Sequence, residues 1–370
     1  MQILKKTNLK AFEKAKKLGP KGIIKLLDEK GLTGRGGAAF PTGKKWDIAF
    51  KQKSDEKFVI CNADEGEPGT FKDKFIIKNN PETLVEGILI AAYTINAKHA
   101  FIYLRGEYEN LKNNLQKVVN KVLKKSKSKL KIDIILGAGS YVCGDETAII
   151  KSLEGFRGHP YYKPPYPPVE GLFGKPTIIN NVETLASVPQ AILFEDWDKD
   201  LRLVSLSGNV TKPGVYELPA GYNLCDLIKL GKPEKKIKAV YFGCFGGCMP
   251  YCEIKLTPEN VCGKNCAIGT YTIIAVDEKQ SILDLAYSIA KFYEYESCGK
   301  CTPCREGTKR VLELLEKIKE GKATKDDLET LKDLAEHIHE TSLCGLGQTC
   351  TNHLLTALQY FKDEFEEAIK

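Results

Sequence analysis

Cys298, Cys301 and Cys304 stand at x2 spacing in Cys298-Gly-Lys-Cys301-Thr-Pro-Cys304, and Cys344 follows in Cys344-Gly-Leu-Gly347. Thiolates ligate soft metals and iron–sulfur clusters. A ferredoxin-type run would place its fourth cysteine just after the third and before a proline. Here Arg305 follows Cys304, so a fourth ligand must come from elsewhere in a folded domain. The spacing favours a 4Fe–4S cluster over structural zinc, whose four-cysteine sites usually pair two C-x2-C units. Four thiolates on such a cluster would move electrons one at a time. Five more cysteines, Cys244, Cys248, Cys252, Cys262 and Cys266, crowd a second stretch at x3, x3, x9 and x3 spacing. That pattern suits zinc ribbons poorly and leaves an additional metal or cluster, disulfides and free thiols all open.

Three loops carry the remaining chemistry. Gly34-Arg-Gly-Gly-Ala-Ala-Phe40 formally fits a G-x-G-x-x-G/A fingerprint, although a helix rather than a strand precedes it. Its small residues would let the backbone approach a phosphate, with Arg35, Lys44 and Lys45 nearby. Asn62, Asp64, Glu65 and Glu67 place four polar groups at the end of a strand. They read either as a turn that caps the next helix or as hydrogen-bonding groups for a flavin nucleotide. Gly137-Ala-Gly-Ser-Tyr-Val-Cys-Gly-Asp-Glu-Thr147 sits between a strand and a helix. Tyr141 could stack on a planar ring. Asp145 and Glu146 could accept from ribose hydroxyls and repel a 2′-phosphate, or could equally stabilise a helix N-terminus.

These loops need elements to hold them. Apolar periodicity predicts an amphipathic helix over 8–30, broken at Gly19-Pro20. Strands are expected at 57–61, 99–104 and 130–136, with helices at 82–97 and 107–127. This alternation argues for an α/β domain with a largely parallel sheet. Residues 156–180 read as a long proline-rich loop, functional or covering. Short β-like runs at 201–206, 215–218, 238–242 and 271–276 indicate a small α+β domain. Helices follow at 281–297, 305–320, 324–340 and 350–369.

Composition fits a globular protein of two or three domains: 370 residues, 42% hydrophobic and 28% charged. No apolar run is long enough to span a membrane, and the N-terminus lacks a signal-peptide pattern. The expected location is therefore cytoplasmic, peripheral to a membrane at most through partner subunits. Thirteen cysteines in a reducing compartment point to metal or redox chemistry rather than disulfides. Lysine-rich stretches at 5–25 and 112–132 lack interleaved aromatics, so they read as solvated helix faces or a docking surface for an acidic partner, with no nucleic acid.

Taken in order, these motifs resemble the NADH-binding flavoprotein subunit of respiratory complex I over nearly the whole chain. The same module occurs in NAD-linked and electron-bifurcating hydrogenases and in NAD-dependent formate dehydrogenases. The resemblance rests on Gly34–Gly43 with Lys45-Trp46, Asn62–Asp73, Gly137–Thr147, Ser152–Gly155, Lys163–Pro165, Gly174–Thr184, Glu296–Gly307 and Ser342–Gly347. It implies a Rossmann-like FMN- and NADH-binding α/β domain over 1–198, a β-grasp α+β domain over 199–282 and a helical 4Fe–4S bundle over 283–370. It implies that Gly34, Arg35, Gly36, Gly37, Lys45, Asn62, Asp64, Glu65, Gly144, Asn180, Asn181 and Thr184 hold FMN. Phe40, Glu67, Tyr141, Glu146 and Tyr166 would hold NADH, and Cys298, Cys301, Cys304 and Cys344 the cluster. No side chain is expected to act as a catalytic acid or base.

The implied activity is hydride transfer from NADH to FMN, then single electrons to the cluster and a separate partner, or the reverse. Thioredoxin-like 2Fe–2S and ferredoxin domains are not seen in the chain, so electrons would pass to a thioredoxin-like 2Fe–2S subunit and further electron-transfer subunits. Asp145, Ala39 and Tyr166 stand where the family usually has glutamate, glycine and phenylalanine. Cys350 replaces a small residue and could compete with Cys344. Cys248, in Gly246-Gly-Cys-Met-Pro250, is familiar from hydrogenase-type relatives, and with the extra cysteines it leans toward a hydrogenase-linked subunit. A non-catalytic cluster-binding assembly protein is the other class of reading; the intact glycine and acidic loops argue against it.

Overall fold

The computed structural model of the protein describes residues 1–369. It divides into two compact units, one of Met1–Gly66 with Phe71–Leu201, the other of Glu67–Thr70 with the chain from Arg202 onward.

The first unit is built on a four-stranded parallel sheet. Its strands are β1 (Phe58–Ala63), β2 (His99–Leu104), β3 (Lys131–Leu136) and β4 (Thr177–Asn181), in the order β3-β2-β1-β4. The expected alternation and parallel sheet are present. β4 is a correction, because it lies at the end of a stretch read as loop; its five residues are too few to show a period. The chain winds outward from β1 through β2 to β3, then returns to β4 on the other side of β1. The sheet therefore has a topological switch point between β1 and β4, where ligands of open α/β sheets bind beyond the carboxyl ends. Asn62 and Asn181 pair directly at that point.

Helices pack this sheet from sequence-local causes. The amphipathic Lys10–Glu29 helix breaks at Gly19 (φ 70°, ψ 168°), with Pro20 opening its second half. Its first turn is capped from a distance. Buried Glu86, on the Pro81–Ile95 helix, accepts from the backbone N–H groups of Leu9 and Phe12 at 3.1 and 2.9 Å. The Pro81–Ile95 helix is buried nearly all round. It crosses the Val182–Leu193 helix at Gly87, where a Cβ would lie 2.0 Å from the Leu185 carbonyl oxygen. The Glu109–Ser126 helix buries Leu115, Val119 and Val122 and leaves most of its lysines exposed, which supports the solvated-face reading of 112–132.

The second unit holds a five-stranded mixed sheet of β5 (Leu201–Gly208), β6 (Gly214–Pro219), β7 (Ile237–Tyr241), β8 (Cys248–Pro250) and β9 (Thr272–Asp277), ordered β6-β5-β9-β7-β8. β5 pairs parallel to β9, and β7 pairs antiparallel to both β9 and β8. Leu206, Leu227, Val240 and Ile273 centre its core. Helices Ile282–Glu296, Thr302–Lys319 and Lys325–Thr341 follow, the last opened by a Thr324–Asp327 capping box. The expected helix over 350–369 is instead two pieces, Asn352–Tyr360 and Lys362–Glu366, interrupted at Phe361.

Candidate functional site

A cavity of about 590 Å³ opens at the switch point of the first unit. That lies within the range of pockets that hold nucleotide-sized ligands. Of the predicted nucleotide-binding residues, Gly34, Gly36, Phe40, Lys45, Asn62, Gly144, Glu146, Tyr166, Asn180, Asn181 and Thr184 line it.

The glycine loop forms its rim. Gly34 N–H bonds the Phe40 carbonyl at 2.9 Å and so closes the loop into a tight arch. At Gly36 a Cβ would sit 3.1 Å from Asn181 Cβ, so the backbone there lies close against β4's end. Gly37 adopts φ 119°, a region open to glycine. Directly after the arch, the Thr42–Lys51 helix begins. It carries Lys45 onto the cavity wall and buries Trp46, whose indole N–H donates to Asn180 Oδ1 at 2.9 Å and fixes that amide. Asn62 Nδ2 donates to the Gly144 carbonyl at 2.9 Å, which ties the β1 end to the loop after β3.

Glu146 is held between two lysines. Lys45 Nζ lies 3.4 Å from one carboxylate oxygen and Lys163 Nζ 3.2 Å from the other. Burial alone would raise its pKa, but the two ammonium groups outweigh burial and keep it below its ordinary value. Glu146 is therefore a carboxylate at neutral pH. Asp145 does the capping instead: its Oδ1 accepts from Thr147 and Ala148 N–H at 2.8 and 3.2 Å and starts the Glu146–Leu153 helix. Phe40 and Tyr166 are 46% and 55% exposed at the cavity, with Lys45 Nζ and Lys163 Nζ each 6.0 Å from the respective ring centre.

Six predicted residues lie off the cavity wall. The Arg35 guanidinium turns away to the Lys199 and Leu201 carbonyls, and only its backbone N–H faces Thr184 Oγ1 at 2.8 Å. Gly37 shapes the arch. Asp64 follows Asn62, whose Oδ1 accepts from the Asp64 N–H. Glu65 is buried and accepts from Asp73 and Lys74 N–H and from Tyr108 OH, so its carboxylate caps the Lys72–Asn79 helix. Tyr141 lies against Gly66, where a Cβ would meet its ring at 2.9 Å. Glu67 belongs to the second unit, where it accepts from Cys244 N–H at 3.0 Å and Thr270 OH at 3.0 Å. Lys163, Pro168 and Val169 also line the cavity; the sequence marked their loop as functional or covering but gave these three no nucleotide role.

In the second unit, Cys301 is the N-cap of the Thr302–Lys319 helix and Cys304 sits in its first turn. Cys344 is the N-cap of the Gly345–Thr349 helix. The two helix starts are pressed together: a Cβ at Gly347 would meet Ser342 at 2.5 Å and Cys304 Cβ at 3.2 Å. Arg305 donates to the Gly299 carbonyl at 2.9 Å and closes the loop that carries Cys298. Burial pushes the Cys304 thiol up to about 11, and the neighbouring Cys301, Cys344 and Cys298 add to the rise. Three thiols around buried Cys304 fit a cluster, whose iron would stabilise the thiolates that burial disfavours, and the buried Cys350 thiol also lies near Cys304, Cys344 and Cys301. Cys350 is 2% exposed and donates to the Gly347 carbonyl at 3.3 Å.

Among the described residues no three His, Cys, Asp or Glu groups are close enough to hold a single metal ion, at the middle cysteines and at Cys298, Cys301, Cys304 and Cys344 alike, and all thirteen cysteines are free. Cys248 and Cys266 pack as small buried side chains, Cys266 Sγ donating to the Cys248 carbonyl at 3.4 Å. Cys244 is buried, Cys252 half-buried and Cys262 exposed. The residues present in the first unit fit FMN: amides fixed by Trp46 and Gly144 for the ring, a glycine arch and Lys45 for a phosphate.

Comparisons with known proteins agree. Residues 27–190 match the Nuo51 FMN-binding domain, and residues 284–368 the NADH-ubiquinone oxidoreductase-F iron-sulfur binding region. The chain is 43% identical to the F subunit of NADH-quinone oxidoreductase from Aquifex aeolicus (strain VF5), covering 99% of this chain and 90% of the relative. It is 38% identical to the NADP-reducing hydrogenase subunit HndC of Solidesulfovibrio fructosivorans, covering 94% and 76%. Among solved structures, an NAD+-reducing NiFe-hydrogenase in the H2-reduced state superposes with a TM-score of 0.88 at 36% identity. The match covers 97% of this chain and 64% of that one, so this chain spans slightly less than two thirds of the hydrogenase chain.

Proposed function

Because this chain belongs to the F-subunit family of the NADH-quinone oxidoreductases, we propose that its two sites divide NADH oxidation between a cavity that orients NADH and flavin and a thiol group that holds a cluster. The protein is an FMN- and 4Fe–4S-dependent NADH dehydrogenase subunit. When bound, FMN supplies the step from a two-electron hydride to single electrons, and the cluster accepts those electrons one at a time. The observation that carries the reading is the convergence of eleven sequence-predicted residues on one cavity at the switch point.

The glycine arch and Lys45 bind the phosphate end of FMN. Asn62, Asn180, Asn181 and Thr184 orient its ring. Phe40 and Tyr166 cover the nicotinamide nucleotide and exclude water, and Glu146 accepts from its ribose. Cys298, Cys301, Cys304 and Cys344 hold the cluster. The sheet at 199–282 is a β-grasp module, supported by its mixed five-stranded order, and 283–370 a helical cluster module. Electrons leave to iron–sulfur partner subunits, one of them thioredoxin-like with a 2Fe–2S centre, in a cytoplasmic complex. No helix among the described residues is long and apolar enough to cross a membrane. The likeness to HndC and to the NAD+-reducing hydrogenase supports a hydrogenase-linked complex as a second reading beside a respiratory one.

The visible spectrum of anaerobically purified protein tests this. A flavin band over a broad iron–sulfur shoulder should bleach on addition of NADH. A reconstituted protein with no NADH-sensitive band overturns the reading. The role of Glu146 has its own check. Glu146→Gln removes the charge that repels a 2′-phosphate and frees Lys163 to accept one. The ratio of kcat/KM for NADPH to that for NADH should rise on the order of tenfold, or about 1.4 kcal/mol. An unchanged ratio would remove Glu146 from the nucleotide site.

A further inference from the structure

Behind the cavity lies a buried charge group that nucleotide binding leaves unused. Glu65, Lys72, Asp73 and Glu183 are 4%, 1%, 3% and 4% exposed. Lys72 Nζ lies 2.8 Å from Asp73 and 3.0 Å from Glu183. Glu65 accepts from the Asp73 and Lys74 N–H groups at 2.8 and 3.0 Å and from Tyr108 OH at 3.0 Å. Arg105 donates to the Glu65 carbonyl, Asp64 precedes it in the chain, and the buried Cys61 thiol faces Asp73.

Three carboxylates share one ammonium group here. Fully ionised, they would leave two uncompensated negative charges away from water, a costly arrangement. The group therefore retains a proton readily. Burial, reinforced by Asp73, lifts Glu65 to about 7. Burial likewise holds Asp73 above its ordinary range, although Lys72 opposes it. Burial would discharge Lys72, but Asp73, Glu183 and Glu65 together keep it charged.

Asn181 links this group to the cavity it lines. Its Nδ2 donates to Asp73, and its Oδ1 accepts from Lys72 at 3.4 Å and from the Glu183 N–H at 2.9 Å. Charge added in the cavity is therefore one amide away from the carboxylates, in a low-dielectric interior where such charges are strongly felt.

We propose that the Glu65–Lys72–Asp73–Glu183 group takes up one proton from solvent when the flavin in the cavity receives a hydride from NADH. The inference rests on the FMN reading above. The balance closes without a further reactant. The hydride carries both electrons from NADH, NAD+ is released, and a water-borne proton adds to a carboxylate of the group. Below about pH 7 Glu65 already carries its proton before reduction. Above it, Glu65 is ionised in the oxidised protein, and the group gains its proton on reduction. The extra uptake therefore belongs to the range above pH 7.

The test is a spectropotentiometric titration of the flavin band in the holoprotein between pH 7 and 9. Relative to Glu65→Gln and Asp73→Asn, the wild-type midpoint potential should fall more steeply by one proton per two electrons. That is tenfold in the equilibrium per pH unit, or about 30 mV. Equal slopes in wild type and both variants overturn the proposal. If neither variant retains FMN, reduced-minus-oxidised infrared spectra of the wild type at pH 8 decide instead. They should gain a carboxylic-acid C=O band that shifts in D2O, and its absence overturns the proposal. Failure of the wild type to bind FMN or to bleach with NADH would sink the functional reading rather than this one.

Discussion

Gly87→Ala should destabilise the first unit by about 3 kcal/mol, the upper part of the range for overpacked cores. The added methyl would stand 2.0 Å from the Leu185 carbonyl oxygen and 2.7 Å from its carbon. Both are backbone atoms inside a helix, so no rotamer change relieves the overlap. One helix must move by on the order of 1 Å through surroundings packed as densely as a crystal. The Val182–Leu193 helix starts directly at Asn181 and carries Thr184 in its first turn. Its displacement would carry two cavity residues with it. The expected result is a lower urea midpoint together with weaker FMN retention. A midpoint within about 0.5 kcal/mol of wild type, the range of ordinary surface changes, would show that the two helices do not cross as closely as described.

Cys304→Ser should abolish the cluster and leave FMN in place. Serine matches cysteine in shape, so the first turn of the Thr302–Lys319 helix can persist with its Thr308 OH bond to the residue 304 carbonyl. A hydroxyl, however, is a hard and weakly acidic ligand where iron–sulfur chemistry needs a thiolate. Iron per chain should drop to near zero while flavin per chain is unchanged. Cys350→Ser provides the contrast and should keep its iron, because Cys350 already spends its S–H on the Gly347 carbonyl. A normal 4Fe–4S signal in the Cys304 variant would mean that the ligand set is wrong.

Local patterns foretold a good part of this molecule. The β2 strand appears at its expected residues, and the Gly19-Pro20 break is where the punctuation placed it. The family resemblance, rather than local geometry alone, named the eleven expected nucleotide-binding residues that line one cavity. What stayed hidden acts over long separations. Nothing near Glu86 in sequence reveals that it caps a helix 74 positions earlier at Phe12. Lys72 and Asp73 lay inside a quoted motif, yet their burial with Glu183 depends on tertiary packing. Arg35 looked like a phosphate ligand by charge, but its side chain holds two carbonyls beyond the Val182–Leu193 helix. The five middle cysteines are crowded along the chain yet range from buried Cys244 to exposed Cys262, a spread that spacing alone does not reveal.

The four residues Glu67–Thr70 build into the second unit although both flanking segments belong to the first. Thr70 meets Thr272, 202 positions later, and Glu67 meets the Cys244 amide, 177 positions later. On the ribosome this segment emerges long before its partners exist. At about 5–20 residues per second, the wait is roughly 10 to 40 s. During that time, while β2, β3 and β4 are still being added to the sheet, the nascent chain carries an acidic turn without its partners. A gene fragment ending near residue 201 would preserve that state permanently, so the flavin-binding half of this chain is not a freely exchangeable cassette.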